Sequence, residues 1–395
     1  MMLPARSRRA SKTVLLNATT INKGGGIQAV TSFICTLVDH FEPKGVDWIF
    51  AVSPEVREQL AEFKHPLRDG VDLCLARSPA KDRRSRRELR EFANRHADLV
   101  FTFFGPAYVA FRCPHLCGVA DGWVTHSSRL AYSTLPEFSE KLRMASLSAY
   151  KALWFRRASH WVVEQAIART GLVNRLRLPA KSISVVSNNC SQIYIDGKTS
   201  APSRPLQSTI RILTFAANFP NKCLDLIPAI ADLLVRRHRI SNVQFVLTIP
   251  APEYARSRIP KLAKMLDVER YISNVGYVPL KNGPDLYRNC DILLMPTVLE
   301  TFSATYPESM HMGLPIVTSD LEFARAICRD AALYFKPRDA VSAAETLAAL
   351  IGNDEIRTGL VAAGFDRARD FPSPVEKYRQ YLSIVDGILD SKTAG

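Results

Sequence analysis

The chain has 395 residues, of which 47% are hydrophobic, and its 52 Lys and Arg against 38 Asp and Glu give a formal net charge of +14. This length is enough for two domains with cores of their own, and the hydrophobic fraction is that of an ordinary globular protein. The most apolar run, residues 101–111, is too short for a transmembrane helix and contains Gly105 and Pro106, so no such helix is predicted. The charge favours anionic partners such as lipid headgroups, nucleic acid or phosphorylated substrates.

Cysteine usage indicates a reducing compartment. The eight cysteines are scattered and include no Cys-x-x-Cys pair. Cys113 and Cys117 form the one close pair, and no two further zinc ligands stand at usable spacing from them. We therefore predict reduced cysteines, no metal site and a cytoplasmic protein.

The first predicted elements are a basic tail, a strand, a glycine turn and a helix. Residues 1–12 are basic and no long apolar segment follows them, so they predict a disordered tail rather than a secretory signal. The run 13–16 (TVLL) predicts a buried strand, and residues 28–38 have a helical pattern of apolar positions. Between them, Gly25 and Gly26 lie in a turn whose backbone N–H groups can approach a phosphate, although a tight turn alone also explains them. Further strands are predicted over 46–52 and 71–75.

Five arginines crowd the next predicted helix. They are Arg83, Arg84, Arg86, Arg87 and Arg90. A solvated helix face is the ordinary explanation of such a run, and transient contact with an anionic membrane surface is the alternative, since each basic residue near such a leaflet contributes about 1 kcal/mol. The cluster has no interleaved aromatic residues for base stacking, which argues against nucleic acid as the partner.

The middle of the chain predicts four more strands, over 98–104, 116–119, 161–163 and 183–186. A helix over 137–155 carries both basic residues and apolar ones such as Leu142, Leu147 and Leu153. This pattern fits core packing, a substrate cleft or membrane contact. The polar, proline-containing stretch 196–208 predicts an interdomain linker.

The second half of the chain continues the alternation of strands and helices. Strands are predicted over 210–217, 243–249 and 272–278, and a helix begins at Leu224. After Pro337, helices are predicted over 340–351, 355–370 and 375–389. Apolar strands alternating with helices are typical of parallel sheets.

The most informative stretch is 290–320. Ile292–Met295 is an unbroken apolar run, which predicts a strand buried on both faces. Glu300 lies in the polar loop that follows, and Glu308 lies in the first turn of a short helix that Gly313 ends. Ligands of open α/β sheets bind at the carboxyl ends of the strands, where free helix N–H groups can meet phosphate oxygens. Two carboxylates there can each accept hydrogen bonds from sugar hydroxyls.

The order Glu300, seven residues, Glu308, apolar helix, Gly313 and a strand resembles the donor-binding signature of retaining GT-B glycosyltransferases of the family 4 (group 1) type. The flanking stretches 285–291 and 320–337 resemble the same family. The resemblance implies that Glu300 contacts the transferred sugar and that Glu308 holds the ribose of the nucleotide. It also implies retention of anomeric configuration and no required metal.

Other positions take their expected roles from the same resemblance. It implies that Lys222 contacts the donor phosphates, and that the Gly25 and Gly26 amides lie near the diphosphate. Three residues that stand where the family has Gly-Phe-Gly are expected to offer backbone amides, and a loop residue is expected to hold the base through its backbone. These are Thr301, Phe302, Ser303 and, for the base, Val278.

Two further features depart from the family. Many members carry a catalytic His where this chain has Ala120-Asp121, so either Asp121 or His126, five residues on, is the candidate to face the transferred sugar. The family arginine about five residues before the lysine is also missing, because Ala217 and its neighbours are not basic. Lys222 then acts with backbone amides, or a basic side chain from the other domain completes the phosphate site.

The predicted architecture is α/β with the GT-B fold, two Rossmann-like domains facing each other across a cleft. The predicted parts are a tail over 1–12, an N-terminal acceptor-side domain over 13–195, a linker over 196–208, a nucleotide-sugar-binding domain over 209–372 and a C-terminal helix over 373–395 that crosses back to the first domain.

The predicted activity is transfer of a hexose-type sugar from a UDP- or GDP-sugar to a saccharide or lipid-linked saccharide acceptor. No prosthetic group is expected, and the setting is surface polysaccharide or glycolipid assembly on the inner face of the membrane. Two alternatives remain open. One is a nucleotide-sugar epimerase or phosphorylase, and the other is a non-catalytic basic module on the same fold that associates with membranes.

Overall fold

The computed structural model describes residues 11–22, 24–40, 46–198, 206 and 208–393. Most of the predicted tail 1–12 and most of the predicted linker 196–208 lie outside these residues. The described chain forms two compact units. The first comprises described residues of 1–120, 147–186 and 374–395, and the second comprises 121–146 and those of 187–373.

The first unit is built on a parallel seven-stranded sheet with the order β3-β2-β1-β4-β5-β6-β7. β1 is an inner strand of this sheet, where Val14, Leu15 and Leu16 are fully buried between β2 and β4. Such strands carry unbroken apolar runs because both faces of the sheet are covered. The strands are β1 Lys12–Ala18, β2 Val46–Val52, β3 Leu73–Cys74, β4 Leu99–Thr102, β5 His115–Gly118, β6 His160–Val163 and β7 Ile183–Val185.

Helix α1 (Gly25–Asp39) and the last helix, α17 (Pro374–Thr393), cover one face of this sheet. Phe33 of α1 lies 5.2 Å from Tyr381 of α17 between ring centroids, and Tyr381 stacks on Phe101 of β4 at 5.2 Å. Six further α-helices of the described chain join the strands of the first sheet or lead from them. In chain order the helices are α1 Gly25–Asp39, α2 Pro54–Glu62, α3 Arg83–His96, α4 Gly122–Thr125, α5 Arg129–Tyr132, α6 Phe138–Phe155 and α7 Ala166–Leu176. Of these, α4, α5 and the first half of α6 group with the second unit.

The second unit is built on a parallel six-stranded sheet with the order β10-β9-β8-β11-β12-β13. β8 and β11 lie at its centre, and Ile292–Met295 is fully buried as its apolar run predicts. The strands are β8 Ile210–Thr214, β9 Val243–Leu247, β10 Ile272–Asn274, β11 Ile292–Met295, β12 Ile316–Ser319 and β13 Ala332–Phe335.

Helices flank the second sheet as its apolar pattern predicts. The helices from α8 to the end of the described chain are, in order, α8 Gln192–Asp196, α9 Ile227–Arg236, α10 Ala251–Arg256, α11 Ile259–Met265, α12 Gly283–Arg288, α13 Thr305–His311, α14 Glu322–Cys328, α15 Ala340–Ile351, α16 Asp354–Ala368 and α17 Pro374–Thr393. The last of these, α17, packs in the first unit. In the described part of the chain, none of the helices combines the length and apolar character needed to cross a lipid bilayer.

Several predicted boundaries are wrong, among them the following. The strand predicted over 272–278 ends at Asn274, since Gly276 takes a φ of 79° that breaks the extended backbone and Pro279 follows shortly after. The strand predicted over 71–75 is reduced to Leu73–Cys74. At Leu224 the chain forms a single 3-10 turn, and the α-helix begins only at Ile227.

Candidate functional site

The site begins with the loop that joins β11 to α13, at the carboxyl end of a central strand of the second sheet. Thr297 is fully buried, and Val298, Leu299 and Thr301 are at most 5% exposed. Glu300 is the acidic residue of this loop, and its side chain is half-buried, at 15% exposed. A loop this buried holds its backbone in one position, which suits a residue that must orient a substrate.

Asn221 fixes this loop to the segment after β8. The Asn221 side-chain amide donates to the Leu299 carbonyl at 2.8 Å, and the Val298 N–H donates to the Asn221 carbonyl at 2.8 Å. The Thr297 hydroxyl donates to that same carbonyl at 3.1 Å. Three hydrogen bonds thus join two neighbouring strand ends, and they place the residue after Asn221 beside the residue after Leu299.

Those two residues are Lys222 and Glu300, and they form an ion pair between Nζ and Oε1. Lys222 ends a 3-10 turn, Pro220–Lys222, and its side chain is 15% exposed, like that of Glu300. A cation with three donors and a carboxylate with free acceptor capacity therefore meet in a partly dry site, where their charges act more strongly than in water.

His126 contacts the backbone of the same loop. Its Nε2 lies 2.9 Å from the carbonyl oxygen of Glu300, and its Nδ1 lies 2.8 Å from the Thr125 hydroxyl. Because a carbonyl oxygen only accepts, Nε2 carries the proton. The structure thus brings His126 to the main chain of Glu300, where the imidazole holds the loop.

Gly122 allows helix α4 to approach this loop closely. A Cβ atom at Gly122 would lie 2.9 Å from Cγ of Leu299, which no ordinary Cβ contact permits. Asp121, the second candidate from this region, caps α4: its carboxylate accepts from the Val124 N–H at 3.3 Å. Asp121 and His126 therefore occupy the two ends of one short helix, with different local partners.

Glu308 lies deeper than Glu300 and is 5% exposed. The Tyr287 hydroxyl of α12 donates to Glu308 Oε2 at 2.6 Å. The other oxygen, Oε1, accepts no hydrogen bond from the described residues. Burial raises the pKa of Glu308 to about 7, and the hydrogen bond from Tyr287 opposes that rise by favouring the charged form.

A second tyrosine stands behind this pair. The ring of Tyr194, in α8, meets that of Tyr287 edge-on at 5.5 Å between centroids, and the buried Tyr194 hydroxyl has no hydrogen-bond partner among the described residues. A Cβ atom at Gly283 would lie 2.0 Å from that hydroxyl oxygen, so the glycine makes room for it. Burial and the charge of Glu308 both raise the pKa of Tyr194, which keeps its hydroxyl neutral.

The three residues in place of Gly-Phe-Gly are packed rather than open. Phe302 is 9% exposed and meets Phe371 edge-on at 6.0 Å, and the Ser303 hydroxyl donates to the Thr305 hydroxyl at 3.2 Å. Thr301 is 5% exposed. The side chains at both ends are therefore directed into contacts of the second unit.

The remaining predicted residues lie elsewhere. Gly25 and Gly26 open α1 in the first unit, after Gly24 with a φ of 68°. Val278 lies in the loop after the edge strand β10, beside the 67% exposed Tyr277. Among the described residues, no group of three or more His, Cys, Asp and Glu side chains is arranged to hold a metal ion.

Three residues of this site were not found from the sequence: Asn221, Gly122 and Tyr287. Asn221 stands directly before the predicted lysine and Gly122 directly after the predicted aspartate, so the adjacent motifs are the signals that point to them. Tyr287 lies in the stretch 285–291 that resembles the family, although its residue type alone does not predict a role for it.

Comparison with known proteins shows what part of the second half of the chain is similar to. Residues 210–353 match the family described as glycosyl transferases group 1. A stretch of 104 residues is 34% identical to phosphatidyl-myo-inositol mannosyltransferase of Mycobacterium leprae, and one of 103 residues is 28% identical to O-antigen chain mannosyltransferase B of Escherichia coli. Each stretch is 26% of this chain, and they span 28% and 27% of the respective relatives.

Solved structures resemble nearly the whole chain. Anabaena Alr3699/HepE, in complex with UDP and glucose, superposes with a TM-score of 0.71 at 15% identity, covering 95% of this chain and 100% of the other. A glycosyltransferase from Rickettsia africae gives a TM-score of 0.69 at 15% identity, covering 96% and 99%. These matches confirm the predicted two-domain Rossmann-like α/β fold, and the family match confirms the predicted resemblance to the group 1 glycosyltransferases.

Proposed function

Since residues 210–353 belong to the glycosyl transferases group 1 family, we propose that this chain transfers a hexose-type sugar from a nucleoside diphosphate sugar to an acceptor hydroxyl. The observation that carries the proposal is the Lys222–Glu300 ion pair at the carboxyl end of the second sheet, fixed there by Asn221. The pair places a cation, which can bind a phosphate, beside a hydrogen-bond acceptor, which can bind sugar hydroxyls. A phosphorylated sugar requires both.

In the proposed reaction the bond between the anomeric carbon and the β-phosphate oxygen breaks. A bond from that carbon to the acceptor oxygen forms, the proton of the acceptor hydroxyl passes to the leaving phosphate oxygen, and the nucleoside diphosphate departs. Negative charge builds up on the leaving diphosphate, so preorganised donors around it supply the largest share of the catalysis. Lys222 supplies a full positive charge there, and the backbone amides of Thr301, Phe302 and Ser303 supply further donors.

The carboxylates bind the two sugars of the donor. Glu300 accepts hydrogen bonds from hydroxyls of the transferred sugar, and the loop hydrogen bonds of Asn221 and His126 hold its backbone in place. Glu308 accepts from the ribose hydroxyls through Oε1, while Tyr287 occupies Oε2. Tyr287 is therefore a positioning residue for the second carboxylate.

The remaining donor contacts follow the family resemblance. The Gly25 and Gly26 amides meet the diphosphate, and Val278 borders the base through its backbone. His126 and Asp121 stay candidates for the transferred sugar. His126 reaches it together with the Glu300 loop that its ring contacts.

The donor is a UDP- or GDP-hexose, and the transfer proceeds with retention and without a metal ion. Lys222 and the loop amides supply the positive potential that a metal ion would otherwise supply. The relatives named above are mannosyltransferases, one of phosphatidyl-myo-inositol and one of an O-antigen chain, which favours a hexose and a lipid-linked or saccharide acceptor. The proposed setting is surface polysaccharide or glycolipid assembly at the cytoplasmic face of the membrane.

The test is a thermal-shift screen with UDP-, GDP- and ADP-hexoses, followed by calorimetry with the sugar nucleotide that stabilises most. Glu308→Ala should abolish donor binding, and Glu355→Ala, an exposed glutamate of α16, should leave it unchanged. Equal affinity of the two variants would refute the ribose assignment.

Product analysis separates the enzyme classes. Transfer of labelled sugar to an acceptor, with the anomeric configuration followed by NMR and with EDTA present, supports the proposed reaction. An epimerised donor or a sugar phosphate would instead identify an epimerase or a phosphorylase. Vesicle binding without any donor binding would identify a non-catalytic module.

A further inference from the structure

The Lys222–Glu300 pair leaves the proposed diphosphate site short of positive charge. The carboxylate of Glu300 already offsets the charge of Lys222 in their ion pair, and the buried Glu308 adds negative charge when it is ionised. None of the residues 215–221, just before the lysine, is basic. Because the diphosphate of a sugar nucleotide is anionic and gains negative charge as the sugar leaves, a second cation is expected beside Lys222.

Arg338 lies at the same edge of the second sheet as this pair. It comes shortly after β13, which ends at Phe335 and runs parallel to β12, as β12 does to β11 and β11 does to β8. Lys222 follows β8 and Glu300 follows β11, so all three residues come after the carboxyl ends of parallel strands. Ligands of open α/β sheets bind at that edge.

The charge of Arg338 acts on the turn that carries Lys222. The thiol of Cys223, directly after Lys222, donates to the Pro220 carbonyl at 3.7 Å and to the Asn221 carbonyl at 3.8 Å, so it stays within that turn. Burial raises the pKa of Cys223 to about 12, and the positive charge of Arg338 opposes that rise. The guanidinium therefore lies near the residue that adjoins the lysine.

The segment that contacts the Glu300 loop also holds Arg338. Nη1 of Arg338 donates to the backbone carbonyl of Ser133, the residue that follows α5, and to the Ser133 hydroxyl at 2.9 Å. Earlier in this segment, His126 contacts the Glu300 carbonyl. Residues 121–133 of the second unit thus fix both the loop of the acidic residue and one end of the guanidinium.

The other side of the guanidinium is available to a ligand. Among the described residues, Nε and Nη2 of Arg338 have no hydrogen-bond partner and no carboxylate pairs with this side chain, which is half-buried. The nearby Lys336 is different, since it pairs with Asp339 at 3.5 Å. Two adjacent N–H donors of a guanidinium match two oxygens of one phosphate group.

Arg239 offers a comparison within the same unit. Its φ of 61° equals that of Arg338, and it is exposed, but it precedes β9 and so lies at the opposite edge of the sheet. A left-handed backbone at an arginine is therefore not in itself a sign of function here. Arg338 differs in its place at the ligand edge, its contact with Ser133 and its nearness to Lys222.

We propose that Arg338 is the second cation of the donor site and binds the diphosphate of the sugar nucleotide together with Lys222. This inference rests on the proposed function, because the ligand it names is the donor of that reaction. The guanidinium supplies the positive charge that Glu300 offsets at Lys222, and it stabilises the diphosphate as that group leaves with the bonding electron pair. The additional cation is then a side chain of the second unit itself.

The experiment is titration of the full chain with UDP and GDP by calorimetry, and with uridine and guanosine, which carry no phosphate, by competition. Arg338→Gln should lower the affinity for the nucleoside diphosphate that binds by about tenfold or more, because charge-assisted hydrogen bonds are lost. The affinity for the corresponding nucleoside should stay the same, since the contacts of base and ribose remain. Arg239→Gln is the matched control and should bind both ligands like the wild type.

A second variant separates charge from geometry. Arg338→Lys keeps the positive charge but loses the planar pair of donors, so its affinity for the nucleoside diphosphate should lie between those of Arg338→Gln and the wild type. Circular dichroism melting checks that each variant is folded. If Arg338→Gln is too unstable to titrate, the comparison of Arg338→Lys with Arg239→Lys takes its place.

The outcomes distinguish this inference from the proposed function. Binding of a nucleoside diphosphate that Arg338→Gln leaves unchanged would overturn the inference alone. Equal losses for the nucleoside diphosphate and the nucleoside would also overturn it, since Arg338 would then have only a structural role. A wild type that binds no nucleoside diphosphate would refute the proposed function, and this inference with it.

Discussion

The Tyr287 hydroxyl donates a 2.6 Å hydrogen bond to Oε2 of Glu308, and both side chains are buried. This bond leaves Oε1 as the oxygen available to a ligand, and it supports the charged form of a carboxylate whose pKa burial raises to about 7. A single buried tyrosine thus influences both the direction and the charge of the residue proposed to hold the ribose.

Tyr287→Phe is expected to shift the pH dependence of donor binding upward. The lost hydrogen bond had lowered the pKa of Glu308, so its carboxyl should become charged only at higher pH. Calorimetric titration of the donor between pH 6 and 9 measures the midpoint.

Tyr194→Phe is the matched control for that experiment. It removes a buried hydroxyl that has no partner in the described part of the chain, so the pH midpoint should stay in place and stability should be equal or higher. If Tyr287→Phe weakened binding equally at every pH, Tyr287 would have only a packing role.

Glu308→Gln is expected to change the pH dependence of stability. The pKa of Glu308 is raised in the folded state above its value of 4.5 when exposed, so the unfolded state loses its proton first as pH rises. The wild type should therefore lose free energy of unfolding between about pH 4.5 and pH 7, by up to about 1.4 kcal/mol per pH unit, and the loss should end above that range. Urea unfolding of the wild type and of Glu308→Gln at pH 5 and 8 measures how the free energy of unfolding changes with pH. The same change in both proteins would contradict the raised pKa of the buried Glu308 carboxyl.

The Lys222–Glu300 pair predicts opposite outcomes for stability and activity. Lys222→Met or Glu300→Gln alone leaves a half-buried charge without its partner and should cost about 1–3 kcal/mol. The double variant should recover part of that free energy, because neither charge remains, while transferase activity stays lost in all three proteins. Activity of the double variant close to that of the wild type would exclude both residues from catalysis.

The surface ion pair Arg237–Glu345 is the control for this set of two single variants and one double variant, a double-mutant cycle. Its side chains are 54% and 50% exposed, and the corresponding substitutions should reveal a coupling below about 1 kcal/mol. Urea unfolding measures both cycles under the same conditions.

Gly122→Ala tests the close approach of α4 to the Glu300 loop. The new methyl group would displace Leu299, so we expect a loss of about 1–3 kcal/mol in stability and weaker donor binding. Gly359→Ala, in helix α16 with no atom near the added Cβ, should be neutral or stabilising by up to about 1 kcal/mol. Unchanged thermal stability of Gly122→Ala would show that the Glu300 loop moves to accommodate the methyl group at little cost in free energy.

The sequence predicts the strands of the second sheet well because their signal is local. Ile292–Met295 is apolar throughout, which is the pattern of a strand covered on both faces, and Gly313 has the positive φ, 68°, expected after a helix end. The strand predicted through Val278 failed because one glycine, Gly276, overrides the apolar residues around it.

The sequence analysis singled out charged residues of the candidate site. It did not single out the residues that hydrogen-bond to the charged residues or to their loop. Glu300 and Lys222 are named by their motifs, but the sequence alone does not predict that they pair, since 78 positions separate them. Asn221 and Tyr287 act through hydrogen bonds to partners distant in the chain, and residue type gives no sign of such bonds. His126 stays a candidate, and its contact with a backbone carbonyl depends on the folded position of α4, which the sequence alone does not give.

The packing of Tyr378 and Tyr381 against α1 and β4 has a consequence for biosynthesis. Phe33, Phe101 and Phe103 leave the ribosome some 270 residues or more before the aromatic rings that cover them. Domains usually fold in the order of their synthesis, but here one apolar face of the nascent first sheet must wait for the final helix. During that interval it is a natural client for chaperones, and premature termination before Tyr378 would leave it permanently uncovered.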